Sequence, residues 1–282
     1  ETRTIHLVSS FFASILAGRT AAIDHGDGAG MNLMNLASLD WDQELLDATA
    51  DGLHDKLPPC APSNSKSGPI SHYFVKKYGF SPKCETIIWS GDNPCSLIGM
   101  GAASPGKVVI SLGTSDTLFA AMPEPKTDPN GFGHVFGNPA GGYMSLICFK
   151  NGSLAREAIK ESYDLGWDAF EQAALSETPA GSNGAMMLPF YEPEITPAVD
   201  TGGPVFSEDH KYSSGEAVRA VHECQFLNMR THSDWLGVSP NRIYITGGAS
   251  ENDGSAQVIA NVFGVPVDRL DVPGSATIGA GM

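Results

Sequence analysis

Three times the chain runs through a short apolar stretch and stops abruptly in small and polar residues. Ile87-Ile88-Trp89 gives way to Ser90-Gly91-Asp92-Asn93-Pro94, and Val108-Val109-Ile110-Ser111-Leu112 to Gly113-Thr114-Ser115. Ile243-Tyr244-Ile245-Thr246 gives way to Gly247-Gly248-Ala249-Ser250. Such runs read as strands, and small residues at a strand end leave backbone N–H groups free to meet an anionic ligand. The first turn delivers a carboxylate, Asp92, and an amide, Asn93, with Pro94 suited to open a helix. The second can cradle a phosphate. The third precedes a helix over 256–263 and a strand over 265–270, the strand–turn–helix–strand order of an α/β nucleotide site. An acid beside a phosphate cradle points to phosphoryl transfer, with Asp92 taking the proton of an attacking alcohol.

Each turn alone has a plainer meaning. Asp is a favoured helix N-cap, a Gly-Thr-Ser turn can simply close a hairpin, and paired glycines suit close helix–strand packing. Their order and spacing along one chain carry the argument.

The remaining pattern is consistent with an α/β chain in two domains. Residues 7–16 form an apolar helix that Gly18 ends. The glycine-dense segment 23–31 lacks the alternating ligands and closing Glu of a calcium loop. It reads as a tight turn, with Asp27 a weaker site candidate. Residues 41–53 pattern as an amphipathic helix with Leu45, Leu46 and Leu53 on its apolar side. Segment 62–68 reads as an exposed loop and 70–78 as a short helix leading to the strand that carries Asp92. Residues 95–103 are small and apolar on nearly all sides, as in a helix buried against a second domain. Gly99 and Gly101 lie in or after that helix, which rules out a dinucleotide fingerprint. Strands over 108–112, 116–121 and 144–149 form a meander that opens a new domain near Ser104, dividing the chain into 1–103 and 104–282. Segment 123–142, rich in Pro, Gly and Asn, is long enough to cover a site. Helices follow over 151–163, from Trp167, and over 214–235.

Composition narrows the partners. A net charge of −15 over 282 residues argues against nucleic acid or an anionic membrane surface, while a few N–H groups and a metal can still hold a nucleotide's phosphates. No apolar run approaches the roughly 20 residues that span a bilayer. Five cysteines, odd in number and without a C-x-x-C pair, point to free thiols in a reducing compartment, the cytoplasm, and to no zinc site. The sequon Asn151-Gly152-Ser153 is expected to be inert. The first residues carry no initiating Met or signal pattern and the last break off in a Gly/Ala run, so the chain is expected to be a piece of a longer protein.

These motifs together resemble the FGGY carbohydrate kinases. The resemblance is carried by Leu7-Val8-Ser9-Ser10-Phe11, Asp27-Gly28-Ala29-Gly30-Met31-Asn32-Leu33, Gly91-Asp92-Asn93-Pro94 and Ser111-Leu112-Gly113-Thr114-Ser115-Asp116-Thr117, and equally by Cys148-Phe149-Lys150-Asn151-Gly152-Ser153-Leu154 and Thr246-Gly247-Gly248-Ala249-Ser250. It runs end to end, and residues 92–100 and 148–154 favour family members acting on D-xylulose over those acting on glycerol, gluconate or ribulose. It implies an actin-like ATPase, ribonuclease-H-like fold of two α/β domains. It also implies ATP-dependent phosphorylation of D-xylulose to the 5-phosphate with Mg2+, and no protein metal ligands of its own.

By that resemblance Asp92 is the base and Asn93 helps hold the sugar. Gly113, Thr114 and Ser115 face the ATP phosphates; Gly247, Gly248, Ala249 and Asn252 form the adenosine side; and Trp167 contacts the nucleotide. Periodicity alone gives Trp167 a core position. Ser90 stands where many relatives have Gly, and Cys224 where Glu-Gly is usual; neither removes a chemical group. The family's first phosphate loop and its sugar-binding His and Arg precede the segment seen here, and closing helices follow it, so this piece alone is expected to be inactive. The alternatives are a non-catalytic actin-like nucleotide-binding or regulatory protein, and a kinase of another ketose or polyol.

Overall fold

The computed structural model describes residues 2–207, 211–270 and 274–282. Its centre is a six-stranded mixed sheet built from β5 (Lys107–Leu112), β6 (Asp116–Met122), β7 (Gly133–Gly137), β8 (Tyr143–Phe149), β9 (Arg242–Thr246) and β10 (Val267–Arg269), in the order β10-β9-β5-β6-β8-β7. β5, β6 and β8 form the antiparallel meander, and β9 and β10 add parallel to β5. This is the mixed α/β sheet of the actin-like ATPase, ribonuclease-H-like expectation.

Alternation along the strands sends side chains to two cores. Val108, Ile110 and Leu112 face helices α8 (Ser214–Ser233) and α9 (Asp253–Phe263), meeting Phe226, Met229, Val258 and Ile259. Val109, Phe119, Ala121 and Met144 point the other way, onto Leu97 of helix α5 (Asp92–Gly99) and Met100 just after it. A third cluster joins α6 (Ser153–Ser162), α7 (Trp167–Gln172) and α8 through Ile159, Phe170 and Val221. The small-residue character of α5 has two causes: it lies flat on the sheet, and it crosses α10 (Ser275–Gly281) where Gly99 and Gly279 meet the partner helix's backbone.

The N-terminal third is assembled from short elements. Helix α1 (Val8–Ala17) ends at Gly18, whose φ of 67° lets Arg19 N–H reach back to Ser14 O at 3.2 Å. The glycine-dense segment is a short strand, β1 (Ile23–Asp24), pairing in parallel with β2 (Cys60–Ala61), followed by one helical turn, α2 (His25–Ala29). Asp24 builds the expected tight turn as a capped helical turn, accepting the N–H groups of Gly26 and Asp27 at 2.8 and 3.0 Å. The helix expected over 41–53 is confined to α3 (Gln43–Thr49): Asp42 caps it, and Trp41 is drawn into a short strand by its Nε1–H bond to Pro58 O at 2.7 Å. Leu46 is buried there, while Leu45 is exposed. Segment 62–68 is in part a strand, β3 (Lys66–Pro69), paired with β4 (Glu85–Ile87), and helix α4 (His72–Tyr78) lies between them. Segment 123–142 supplies the edge strand β7 over residues 133–137.

Candidate active site

The register of β5 against β9 makes the site. Thr246 pairs with Ser111, so two adjacent parallel strands end level with each other. Their turns, 113–115 and 247–249, therefore leave the sheet from the same edge, where ligands of open α/β sheets are held. β8 runs parallel to β5 through their shared partner β6, and Phe149 pairs with Asp116 at the same edge. A cavity of about 710 Å³ opens there, lined by Gly113, Thr114, Arg156, Trp167, Gly248 and Asn252 among others. That size suits a cofactor-scale ligand.

Ala249 also lines the cavity. The two glycines of the third turn have different jobs. Gly247 has φ 93°, and a side chain there would run into the Leu112 carbonyl oxygen, so this residue serves close packing. Gly248 has an ordinary φ, and a Cβ on it meets no atom within 4 Å. Its open side is the cavity. Asn252 caps α9, accepting Ser255 N–H at 2.8 Å. Trp167, expected in the core from its pattern, is 49% exposed at the cavity wall. The ring of buried Phe170 meets it edge-on at 5.4 Å and Lys160 Nζ lies 5.2 Å from its centroid. Ser115 is exposed, donates its hydroxyl to Lys150 O at 3.2 Å, and is not among the residues that line the cavity.

Asp92 and Asn93 lie outside the residues that line this cavity. β4 stops at Ile87; residues 88–91 form a connector in which Trp89 has φ 62°, and Gly91 is the N-cap of α5. Asp92 is the first residue of the helix, exposed, with its Oδ1 accepting Asn93 N–H at 2.8 Å. The connector is held from the N-terminal third. Ser90 Oγ donates to Asp24 Oδ2 at 2.6 Å, and Ser9 Oγ donates to Asp27, whose carboxylate lies against Gly91. Asp24 is 1% exposed, and burial pushes its carboxyl up to about 6, against the pull of the Ser90 hydroxyl. The role of Asp24 was not legible in the sequence, since its partner Ser90 is 66 residues away.

The sequence also hid the support behind the 113–115 turn. Asp116 and Arg156 form a buried bidentate ion pair, and Gln225, Asn151 and Glu194 continue the network. Asn151 is 3% exposed and donates to Glu194 and Glu192, so the sequon's amide is buried in hydrogen bonds. All five cysteines are free thiols. Among the described residues no group of three or more His, Cys, Asp and Glu side chains is placed to hold a metal ion, and no helix is long and apolar enough to cross a membrane.

His222 closes the back of the cavity wall. It is fully buried; its Nδ1 lies 2.8 Å from Val218 O and its Nε2 3.0 Å from Ser255 Oγ. A carbonyl can only accept, so Nδ1 carries the proton and the Ser255 hydroxyl donates to Nε2. Burial drives its pKa down to about 3, with Arg156 and Arg219 adding to the effect. The unfolded chain protonates this ring below its ordinary pKa of about 6.5 and the folded chain does not, so the stability it contributes is lost as pH falls from there toward 3. Asp24 acts with the opposite sign: the folded chain takes its proton near 6, and stability is gained as pH falls. The two effects offset each other in the wild-type protein, so a variant is needed to separate them. Denaturant titrations at pH 7.5 and 4.5 are expected to show the wild-type chain losing about 2–3 kcal/mol more than His222→Gln. Parallel pH profiles would contradict a neutral, buried ring.

The protein is thus an α/β fold whose adjacent parallel strands end together on a cofactor-sized cavity. The chain matches the FGGY family of carbohydrate kinases, its N-terminal domain over residues 1–99 and its C-terminal domain over 108–282, and it belongs to that family. It is 44% identical to the xylulose kinase of Rattus norvegicus, over 99% of this chain and 53% of that protein. Among solved structures it is similar to the ligand-bound xylulose kinase from Lactobacillus acidophilus, with TM-score 0.83 and 26% identity over 97% of this chain and 56% of that one. The gluconate kinase from the same organism gives TM-score 0.86 and 26% identity, covering 99% and 57%. The fold is thus that of the actin-like ATPases. The chain spans about half the length of the curated relatives it matches.

Proposed function

We propose that the protein transfers the terminal phosphoryl group of ATP to D-xylulose, giving D-xylulose 5-phosphate. The observation that carries this reading is the level ending of β5 and β9, which brings Gly113 and Thr114 into one cavity with Trp167, Gly248, Ala249 and Asn252. Trp167, Gly248, Ala249 and Asn252 take the adenosine, and Gly113, Thr114 and Ser115 take the phosphates, where turn N–H groups and hydroxyls can hold them. The reading keeps Gly247 on that side as the residue that lets the turn approach β5.

The sugar side belongs to Asp92 and Asn93, in the 1–103 domain, while every residue lining the nucleotide cavity belongs to the 104–282 domain. Each domain therefore supplies one reactant, and transfer requires both. Asp92 takes the proton from the sugar's terminal hydroxyl as its oxygen attacks the phosphorus, and Asn93 orients the sugar. Mg2+ would be carried on the nucleotide's phosphates and water, as this ion commonly is. The free thiols suit a reducing compartment, the cytoplasm.

Fold similarity does not select the sugar, because xylulose and gluconate kinases superpose about equally well. Sequence similarity favours D-xylulose, through the rat enzyme and the Arabidopsis thaliana xylulose kinase 2 at 40% identity. The test is ADP release by the protein expressed from its full coding sequence, across pentuloses, gluconate and glycerol. The highest kcat/KM is expected with D-xylulose; a preference for gluconate or glycerol would overturn the substrate assignment.

A further inference from the structure

Asp116 follows the 113–115 turn directly and is 0% exposed. Its Oδ1 accepts Gly113 N–H at 3.1 Å and Arg156 Nη2 at 3.1 Å, and its Oδ2 accepts Arg156 Nη1 at 2.9 Å. Arg156, on α6 and 2% exposed, also donates from Nη1 to Gln225 Oε1 at 2.9 Å. Gln225, on α8, donates in turn to the carbonyls of Asn151 and Gly152 at 2.6 and 2.9 Å. The circuit closes on the turn itself: Gly152 N–H donates to Thr114 O at 3.2 Å and Ser153 N–H to Gly113 O at 2.9 Å. The turn's inward-facing groups are thus tied on both sides, while Thr114 and Ser115 stay exposed.

A buried ion pair is a poor source of stability, because desolvation can cancel its attraction. This one is also incomplete: Arg156 Nε is buried without a hydrogen-bond partner, on a side chain that lines the cavity. Fork-to-carboxylate pairing does, however, fix direction as well as distance. We infer that Asp116 and Arg156 are positioning residues that hold the 113–115 turn in the shape that receives the phosphates of ATP. The pair acts on the phosphate end alone. The adenosine end is built on Trp167 of α7 and on the turn between β9 and α9, whose residues Gly248 and Asn252 take no part in this circuit.

This inference rests on the nucleotide reading of the cavity, and two probes separate the fate of each. ATP and adenosine are titrated calorimetrically into the protein expressed from its full coding sequence. Arg156→Lys keeps the charge and loses the fork. It is expected to weaken ATP about tenfold or more while adenosine stays within about twofold of wild type. Asp116→Asn, which keeps an oxygen for Gly113 N–H, is the second variant should Arg156→Lys fail to fold, and the same split is expected. Equal weakening of both ligands with a lowered Tm would make the pair merely structural and overturn the inference, as would unchanged affinity for both. A wild-type chain that binds neither probe would overturn the nucleotide reading, and the inference with it.

Discussion

Asp92→Asn in the protein expressed from its full coding sequence is expected to lower kcat with D-xylulose by about 10²–10⁴ while ATP affinity and Tm stay near wild type. A sugar hydroxyl is a poor nucleophile at neutral pH, and removing the basic oxygen removes the acceptor for its proton. The structure separates this role from a capping role. Gly91 is the N-cap of α5 and Asp92 is the first helical residue, exposed, with one local bond to Asn93 N–H. Asparagine keeps an oxygen for that bond, so the loss of stability is small. The connector before Asp92 is fixed from behind by Asp24, Ser90 and Asp27, none of which the substitution touches. Normal turnover in a normally folded variant would remove Asp92 from the chemistry.

Gly248→Val is expected to weaken ATP binding about ten- to a hundredfold with the fold intact. The position has no left-handed φ to violate and no protein atom within 4 Å of a new Cβ, so the added side chain occupies cavity space. Gly247→Val is the contrast: φ of 93° and the Leu112 carbonyl both oppose a side chain, so it should lower Tm first. Calorimetry and melting curves on both variants give the answer. Unchanged ATP affinity in folded Gly248→Val would move the adenosine away from this turn.

The contrast between these neighbours marks how far the sequence could be read. Two adjacent glycines after a strand announce a sharp, close turn, and the apolar runs before 113 and 247 announce the strands that bring the turns together. Which glycine packs and which opens depends on the register of β9 against β5, and no local pattern encodes that. The same holds for Arg156. Within Ser153-Leu154-Ala155-Arg156-Glu157 it looks like a solvated helix residue, and its partners Asp116 and Gln225 are 40 and 69 residues distant. Helix α5 was legible as buried because its residues are small all round, but its glycine crossing with α10 was not. Where the local reading overreached, a specific hydrogen bond had won. Trp41 leaves the expected helix for Pro58 O. Segment 123–142 shows the opposite case, in which turn-rich composition hides an edge strand whose pairing comes entirely from β8.

The account turns most directly on phosphoryl transfer itself. The protein from the full coding sequence, incubated with ATP labelled in its terminal phosphate, D-xylulose and Mg2+, should yield labelled D-xylulose 5-phosphate, and the label should stay on ATP with Asp92→Asn. A folded protein that binds ATP with the expected dependence on Gly248, yet passes no label to D-xylulose or any other sugar, would contradict it and leave a nucleotide-binding protein without turnover.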